Sequence, residues 1–201
     1  SNVTYESVAG TSVPRDFVEL PSQIMENWAS EPEVMKMYAK HYKSGEVIPD
    51  SLIEKMQKAG TFDQGFVTTE YLAASLLDMQ YHTQSETIKI DAMTFEKEAM
   101  SRLNLPTTII PRYRSTYFNH IFSGGYSAGY YSYIWSGVLD TDAFEVFKTN
   151  GLFNQDSANS FRKNILEKGG TEEPMELYKS FRGAEPTIEP LLRKRGLDQV
   201  K

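Results

Sequence analysis

The sequence predicts an all-α protein, a multi-helix array in one domain over residues 1–201. Three observations predict it. Apolar residues recur at three- and four-residue steps through most of the chain, the spacing of a helix face. Period-two alternation is nearly absent, and Ile88-Lys-Ile90 is the one place where a brief pairing is expected. Proline and glycine fall mostly between the periodic stretches, where they open and stop helices.

Each element follows from its own residues. Residues 15–29 read as a helix with Phe17, Leu20, Ile24 and Trp28 as apolar positions, and Pro21 bends it or marks its early part. Residues 31–43 form a second helix with Val34, Met37 and Tyr38 on one side. Pro49 opens a third, which ends near Gly60. Residues 68–83 carry Tyr71, Leu72, Ser75, Leu76 and Met79 at helical steps, and 91–103 show a charged face at Glu96, Lys97 and Arg102. Two prolines bound an extended connection over 105–111; a short helix over 113–122 then ends at Ser123-Gly124-Gly125. A long helix over 127–149 stops at Gly151. Shorter helices over 154–168, 174–181 and 187–195 complete an array of about eight to ten.

Composition bounds the partners. With 40% hydrophobic residues, 201 residues can build a core without staples. A net charge of -6 argues against nucleic acid, and the basic cluster Arg193-Lys194-Arg195 reads as a solvated helix end. No apolar run approaches the ~20 residues that span a bilayer, so no membrane partner is expected. There is no cysteine, so a metal site must use oxygen and nitrogen ligands. Both cytoplasmic and exported proteins can lack cysteine, and a bacterial cytoplasmic or periplasmic location is expected. No signal peptide is visible, and Ser1-Asn2 fits an expression scar.

Two segments hold the candidate chemistry. On the helix over 15–29, Glu19 and Glu26 are seven residues apart and share a face. A carboxylate on a rigid helix suits a zinc site, and Asp16, Gln23 and Glu26 are placed to orient it. By residue type alone such acids are more often solvated, and Glu26 fits a salt bridge equally well. In the second segment Tyr126, Tyr130 and Tyr133 are spaced i, i+4, i+7, which on a helix makes one stripe. A well-placed phenol O–H can stabilise a developing oxyanion by roughly 2.7–4 kcal/mol. His120 can donate to a substrate carbonyl or carboxylate. Gly124 and Gly125 make a loop able to close on substrate. The competing reading of the stripe is an aromatic core, and Tyr131 and Trp135, off the stripe, are expected to be core. Arg112 and Arg114 suit bidentate recognition of a carboxylate, or are helix-end and surface arginines. His41 and His82 lack a partner histidine at i+4 and read as ordinary, partly buried residues of helices.

The run Gly10-Thr-Ser-Val-Pro-Arg-Asp-Phe-Val-Glu-Leu-Pro-Ser-Gln-Ile-Met-Glu-Asn-Trp28 resembles the stretch that carries the third zinc ligand in the thimet oligopeptidase family of zinc metallopeptidases. The stretches 62–78 and 114–122 and Tyr178-Lys-Ser-Phe-Arg-Gly183 are similar to its peptidyl-dipeptidase branch. The resemblance implies that Glu19 is the zinc ligand, and that His120, Gly124, Gly125, Tyr126, Tyr130 and Tyr133 line the active-site cleft. Within it, Tyr126 and Tyr133 polarise the scissile carbonyl or the oxyanion, and His120 and Tyr130 bind substrate backbone. It implies zinc as cofactor and peptides as substrates, with dipeptides released from the C-terminus. The alternatives are an oligoendopeptidase, or a non-catalytic helical peptide-binding domain. No His-Glu-x-x-His occurs in these residues. The resemblance therefore implies the C-terminal portion of a zincin-type catalytic domain, its N-terminal partner segment holding both histidines and the general base. Such a chain is expected to be inactive alone, to bind zinc weakly, and to self-associate through surface that the partner segment would cover.

Overall fold

A computed structural model describes residues 1–86, 89 and 91–198. The helices are α1 (Arg15–Val18), α2 (Leu20–Ser30), α3 (Pro32–Tyr38), α4 (Asp50–Gly60), α5 (Gln64–His82), α6 (Ala92–Arg102), α7 (Asn119–Phe122), α8 (Ser132–Asn150), α9 (Gln155–Phe161), α10 (Pro174–Arg182) and α11 (Glu189–Arg195). Among the described residues no strand forms, and one isolated bridge joins Lys40 to Val47. The all-α expectation therefore stands. Ile88 and Ile90, expected to pair, lie outside the described residues. No helix among those described is long and apolar enough to cross a membrane.

Local chemistry sets the helix starts. Proline occupies the first turn of α2, α3, α10 and α11, where its missing N–H has no intrahelical partner. Asp91 and Asn154 cap α6 and α9 by accepting the N–H groups of Thr94 and Ser157, both i+3.

Several expected boundaries and faces shift. The helix over 15–29 breaks at Glu19, where Pro21 starts a new first turn. The helix over 31–43 ends at Tyr38, because the chain turns back through the Lys40–Val47 bridge; it buries Met35 and leaves Met37 and Tyr38 exposed. Helix α5 starts at Gln64 and buries Ala73, Ala74, Leu77 and Asp78, leaving Leu72, Leu76 and Met79 outside. Glu96, read as part of a charged face, is buried. The segment over 113–122 divides into a 3₁₀ turn at Ser115–Tyr117 and α7. The helix over 154–168 passes into a π turn at Arg162–Leu166.

The chain forms two compact units. The first comprises 1–62 and 134–201. Its core sets Phe17, Leu20 and Ile24 against Leu139, Phe144 and Phe147 of α8 and against Leu177, Tyr178 and Phe181 of α10. Buried acids on α8 tie in the flanking helices. Asp142 accepts from the Tyr178 hydroxyl at 2.7 Å and from Arg182 Nε at 2.9 Å. Asp140 accepts from Asn27 of α2 at 2.9 Å, and Lys194 of α11 donates to Asn27 Oδ1 at 2.7 Å. The second unit, 63–133, packs Phe118, Ile121, Tyr126 and Tyr130 against Ala74 of α5.

Candidate functional site

The two candidate segments fall in different units, and each is built by its own neighbours. In the first unit Glu19 sits between α1 and α2 with φ -87° and ψ -4°, and its carbonyl accepts the Gln23 N–H at 2.9 Å. Helix α2 is locked onto α8. Trp28 stacks edge-on to Phe144 and Phe147 and donates from Nε1 to the Leu152 carbonyl at 2.9 Å, while Asn27 holds Asp140. Glu19 thus projects, half-buried, from a fixed helix start. Its Oε2 accepts the Ser22 hydroxyl at 2.6 Å. Sequence reasoning assigned orientation to Asp16, Gln23 and Glu26 and missed Ser22, although a serine three residues after an acid is the signal of such a contact.

Asp16 is half-buried, and its carbonyl lies 3.4 Å from the Ser136 hydroxyl. Glu26 is exposed, and its charge acts on the buried Asp140, whose carboxyl is raised above the ordinary range chiefly by desolvation. No three His, Asp or Glu side chains converge as a metal site among the described residues. Among the described residues there is thus no complete metal site, and Glu19 offers a carboxylate, a ligand type that zinc accepts.

In the second unit the aromatic candidates do come together, but not as a helix stripe. Helix α8 begins only at Ser132; residues 127–131 run as turns, and Ala128 adopts a left-handed φ of 52°. The reason is that these backbone groups take side-chain partners from α5 in place of intrahelical ones. Asp78 accepts the N–H groups of Ala128 and Tyr130, each at 2.9 Å, and the Tyr71 hydroxyl donates to the Tyr130 carbonyl at 2.6 Å. The resulting loop stacks Tyr126 on Tyr133 with ring centroids 5.1 Å apart and sets Tyr130 edge-on to Tyr133 at 5.3 Å. His120 lies 5.6–6.3 Å from all three rings, and Tyr113 closes on it at 4.8 Å.

The two glycines shape the approach to this cluster. A side chain on Gly124 would meet the His120 Cα at 2.8 Å, and Gly125 has a φ of 81°. Tyr130 is buried at 3% exposure, and that burial pushes its phenol well above the usual range; the charge of Arg112 opposes the shift. Tyr131, expected in the core, is 42% exposed, because the turns that replace the first helical residues rotate it outward. Trp135 packs half-buried against the core of the first unit.

The two arginines separate. Arg114 is engaged by the buried Glu96, whose other oxygen accepts from the Ser115 N–H at 2.7 Å and hydroxyl at 2.9 Å. Arg112 is exposed, with its N–H on the Glu70 carbonyl and its charge acting on Tyr130. His41 is exposed in a turn beyond α3, where its Nδ1 accepts the Ser44 N–H at 3.2 Å, so the helical, partly buried placement is corrected. His82 ends α5 with Nδ1 2.7 Å from Asp78 Oδ1.

Residues 1–197 match the model of the family described as Peptidase family M3. The chain is 46% identical to a dipeptidyl carboxypeptidase of Salmonella typhimurium over 97% of its length, and 44% identical to one of Escherichia coli over 96%. It is 42% identical to the oligopeptidase A of Salmonella typhimurium over 94%. The chain spans 28–29% of the length of these curated relatives.

Proposed function

The chain belongs to peptidase family M3, and on that premise we propose that it is part of a zinc-dependent peptidase that releases dipeptides from peptide C-termini. Glu19 supplies one zinc ligand, steadied by Ser22. Two histidine ligands and a general base come from residues outside this sequence, since a catalytic zinc normally takes three protein ligands. Zinc, when bound, supplies Lewis acidity toward the peptide carbonyl and its attacking water. Tyr126 and Tyr133 donate to the carbonyl oxygen as it gains charge. His120 and Tyr130 hold substrate backbone, with Tyr130 acting from a buried position that its neighbours fix. Gly124 and Gly125 shape the loop beside them. Arg112 receives the free carboxylate, because Glu96 already occupies Arg114.

The observation that carries this reading is the convergence of His120, Tyr126, Tyr130 and Tyr133 into one ring cluster beside the two glycines. The higher identity to dipeptidyl carboxypeptidases favours terminal cutting, and 42% identity to an oligopeptidase A keeps internal cutting as the second reading. The test is mass spectrometry of an N-blocked peptide with a free C-terminus, incubated with zinc and the longer protein that contains this chain. Stepwise dipeptide loss is expected, abolished by a chelator and by Glu19→Ala, and lowered roughly 100-fold in kcat by Tyr126→Phe. Internal cuts select the second reading, and no cleavage overturns both. The 201 residues alone are expected to be inactive. Self-association of this chain is part of the same proposal, since Leu72, Leu76 and Met79 leave an exposed apolar stripe on α5; a strict monomer by light scattering at high concentration removes it.

A further inference from the structure

We infer that Asp78 is the positioning residue of the phenol loop, an inference that rests on the peptidase reading for its catalytic consequence. Asp78 lies on α5 with 0% of its surface exposed. A buried carboxylate is costly unless its oxygens are paired, so its partners reveal what it is for. Two of them are backbone donors of one loop: Oδ1 takes the Ala128 N–H and Oδ2 the Tyr130 N–H, each at 2.9 Å. The third is His82 Nδ1, at 2.7 Å from Oδ1 and 2.9 Å from the Asp78 carbonyl.

The loop needs such a hold. Ala128, with a φ of 52°, occupies a conformation that L-residues other than glycine avoid, and such a backbone persists only where its surroundings over-determine it. Asp78 grips the N–H on either side of Gly129. Tyr71, seven residues earlier and so on the same face of α5, donates to the Tyr130 carbonyl at 2.6 Å. One helix face therefore clamps both polar groups of the Tyr130 residue. Tyr126 precedes the clamped segment and Tyr133 follows it, so the clamp sets the span across which their rings stack at 5.1 Å. Asp78 touches no substrate in this scheme. It acts through the placement of two phenols, whose value to an oxyanion depends on distances of ångström scale.

An amide in its place discriminates sharply. Asn offers one acceptor oxygen and sets an NH₂ against the second backbone N–H, so Asp78→Asn keeps the volume and breaks the clamp. In the longer protein, Asp78→Asn is expected to lower kcat roughly 100-fold with KM changed less than about 3-fold. His82→Ala removes the third partner of Asp78 and leaves both loop hydrogen bonds in place, so it is expected to lower kcat in the same direction by less than Asp78→Asn does. Amide hydrogen exchange on the 201-residue chain supplies a readout independent of activity: Ala128 and Tyr130 are protected, and Asp78→Asn speeds their exchange at least about tenfold while α10 stays protected.

Unchanged kcat in Asp78→Asn, or undisturbed exchange at both amides, would overturn the inference. Should Asp78→Asn fail to fold, Tyr71→Phe, which removes the hydroxyl on the Tyr130 carbonyl, is read by the same kcat-against-KM split and the same exchange. If the unsubstituted longer protein cleaves nothing, the peptidase reading falls and the catalytic consequence with it, while exchange still decides whether Asp78 holds the loop.

Discussion

Gly124 has no room for a side chain. The atoms nearest to an added Cβ are backbone, the His120 Cα at 2.8 Å and its carbonyl oxygen at 3.0 Å, and backbone cannot swing aside as a long side chain can. Gly124→Ala is therefore expected to cost about 1–3 kcal/mol of stability and to displace His120 from the tyrosine rings. A denaturant titration checks the first part, and an unshifted midpoint would show that the turn yields freely. The residue type was legible in the sequence, because a glycine pair after a short helix marks a stop. The reason was not, since it lies in how tightly α7 turns back on itself. Ser22 gives the complementary case, where an ordinary hydroxyl gains meaning from the carboxylate 2.6 Å away.

At the scale of elements, the pairing of Glu96 on α6 with Arg114 and Ser115 fixes the connection that leads into α7. Removing the buried Glu96 carboxylate leaves the buried Ser115 N–H and hydroxyl without their acceptor, so Glu96→Ala is expected to cost about 1–3 kcal/mol. Arg112→Ala should change stability by less than about 0.5 kcal/mol, because its side chain is exposed, and should raise KM for free-C-terminus peptides in the longer protein. Equal stability losses at Glu96 and Arg112 would refute this division. Helix α6 itself was legible in the sequence, over 91–103. The burial of Glu96 was not, because its partners lie 18 and 19 residues away. Helix α5 misled in the same way: Leu72, Leu76 and Met79 match a helical period, yet the face that packs is Ala73, Ala74, Leu77 and Asp78. Small residues there admit close neighbours, and hydropathy alone ranks them below leucine.

For the molecule as a whole, each unit keeps a buried phenol, Tyr130 in the second and Tyr178 in the first. Desolvation by burial raises both well above the ordinary range, and at Tyr178 the hydrogen bond to Asp142 adds to it. The sign follows from proton binding. Above the ordinary phenol value of about 10 the unfolded chain releases protons that the folded chain retains, so stability intact below that pH is lost as pH rises through it. Thermal unfolding of the 201-residue chain between about pH 8 and 11 should show this fall, and Tyr130→Phe should lessen it. Identical pH profiles for the two proteins would show that Tyr130 is not held as its burial requires.

The sequence by itself determined the helical class, most helix starts and stops, and the two segments whose residues match a peptidase family. These depend on the spacing of apolar residues, on proline and glycine punctuation, and on short motifs, all read over a few residues. Only the tertiary structure decided that the tyrosines gather through a clamped turn rather than a helix face. It also decided that Arg114 is spent on Glu96, and that a buried aspartate holds the turn. Each of these depends on a hydrogen-bond partner far along the chain, such as the 52 residues between Asp78 and Tyr130. A buried polar group must find its partner wherever the fold supplies one, and no local period records where that will be.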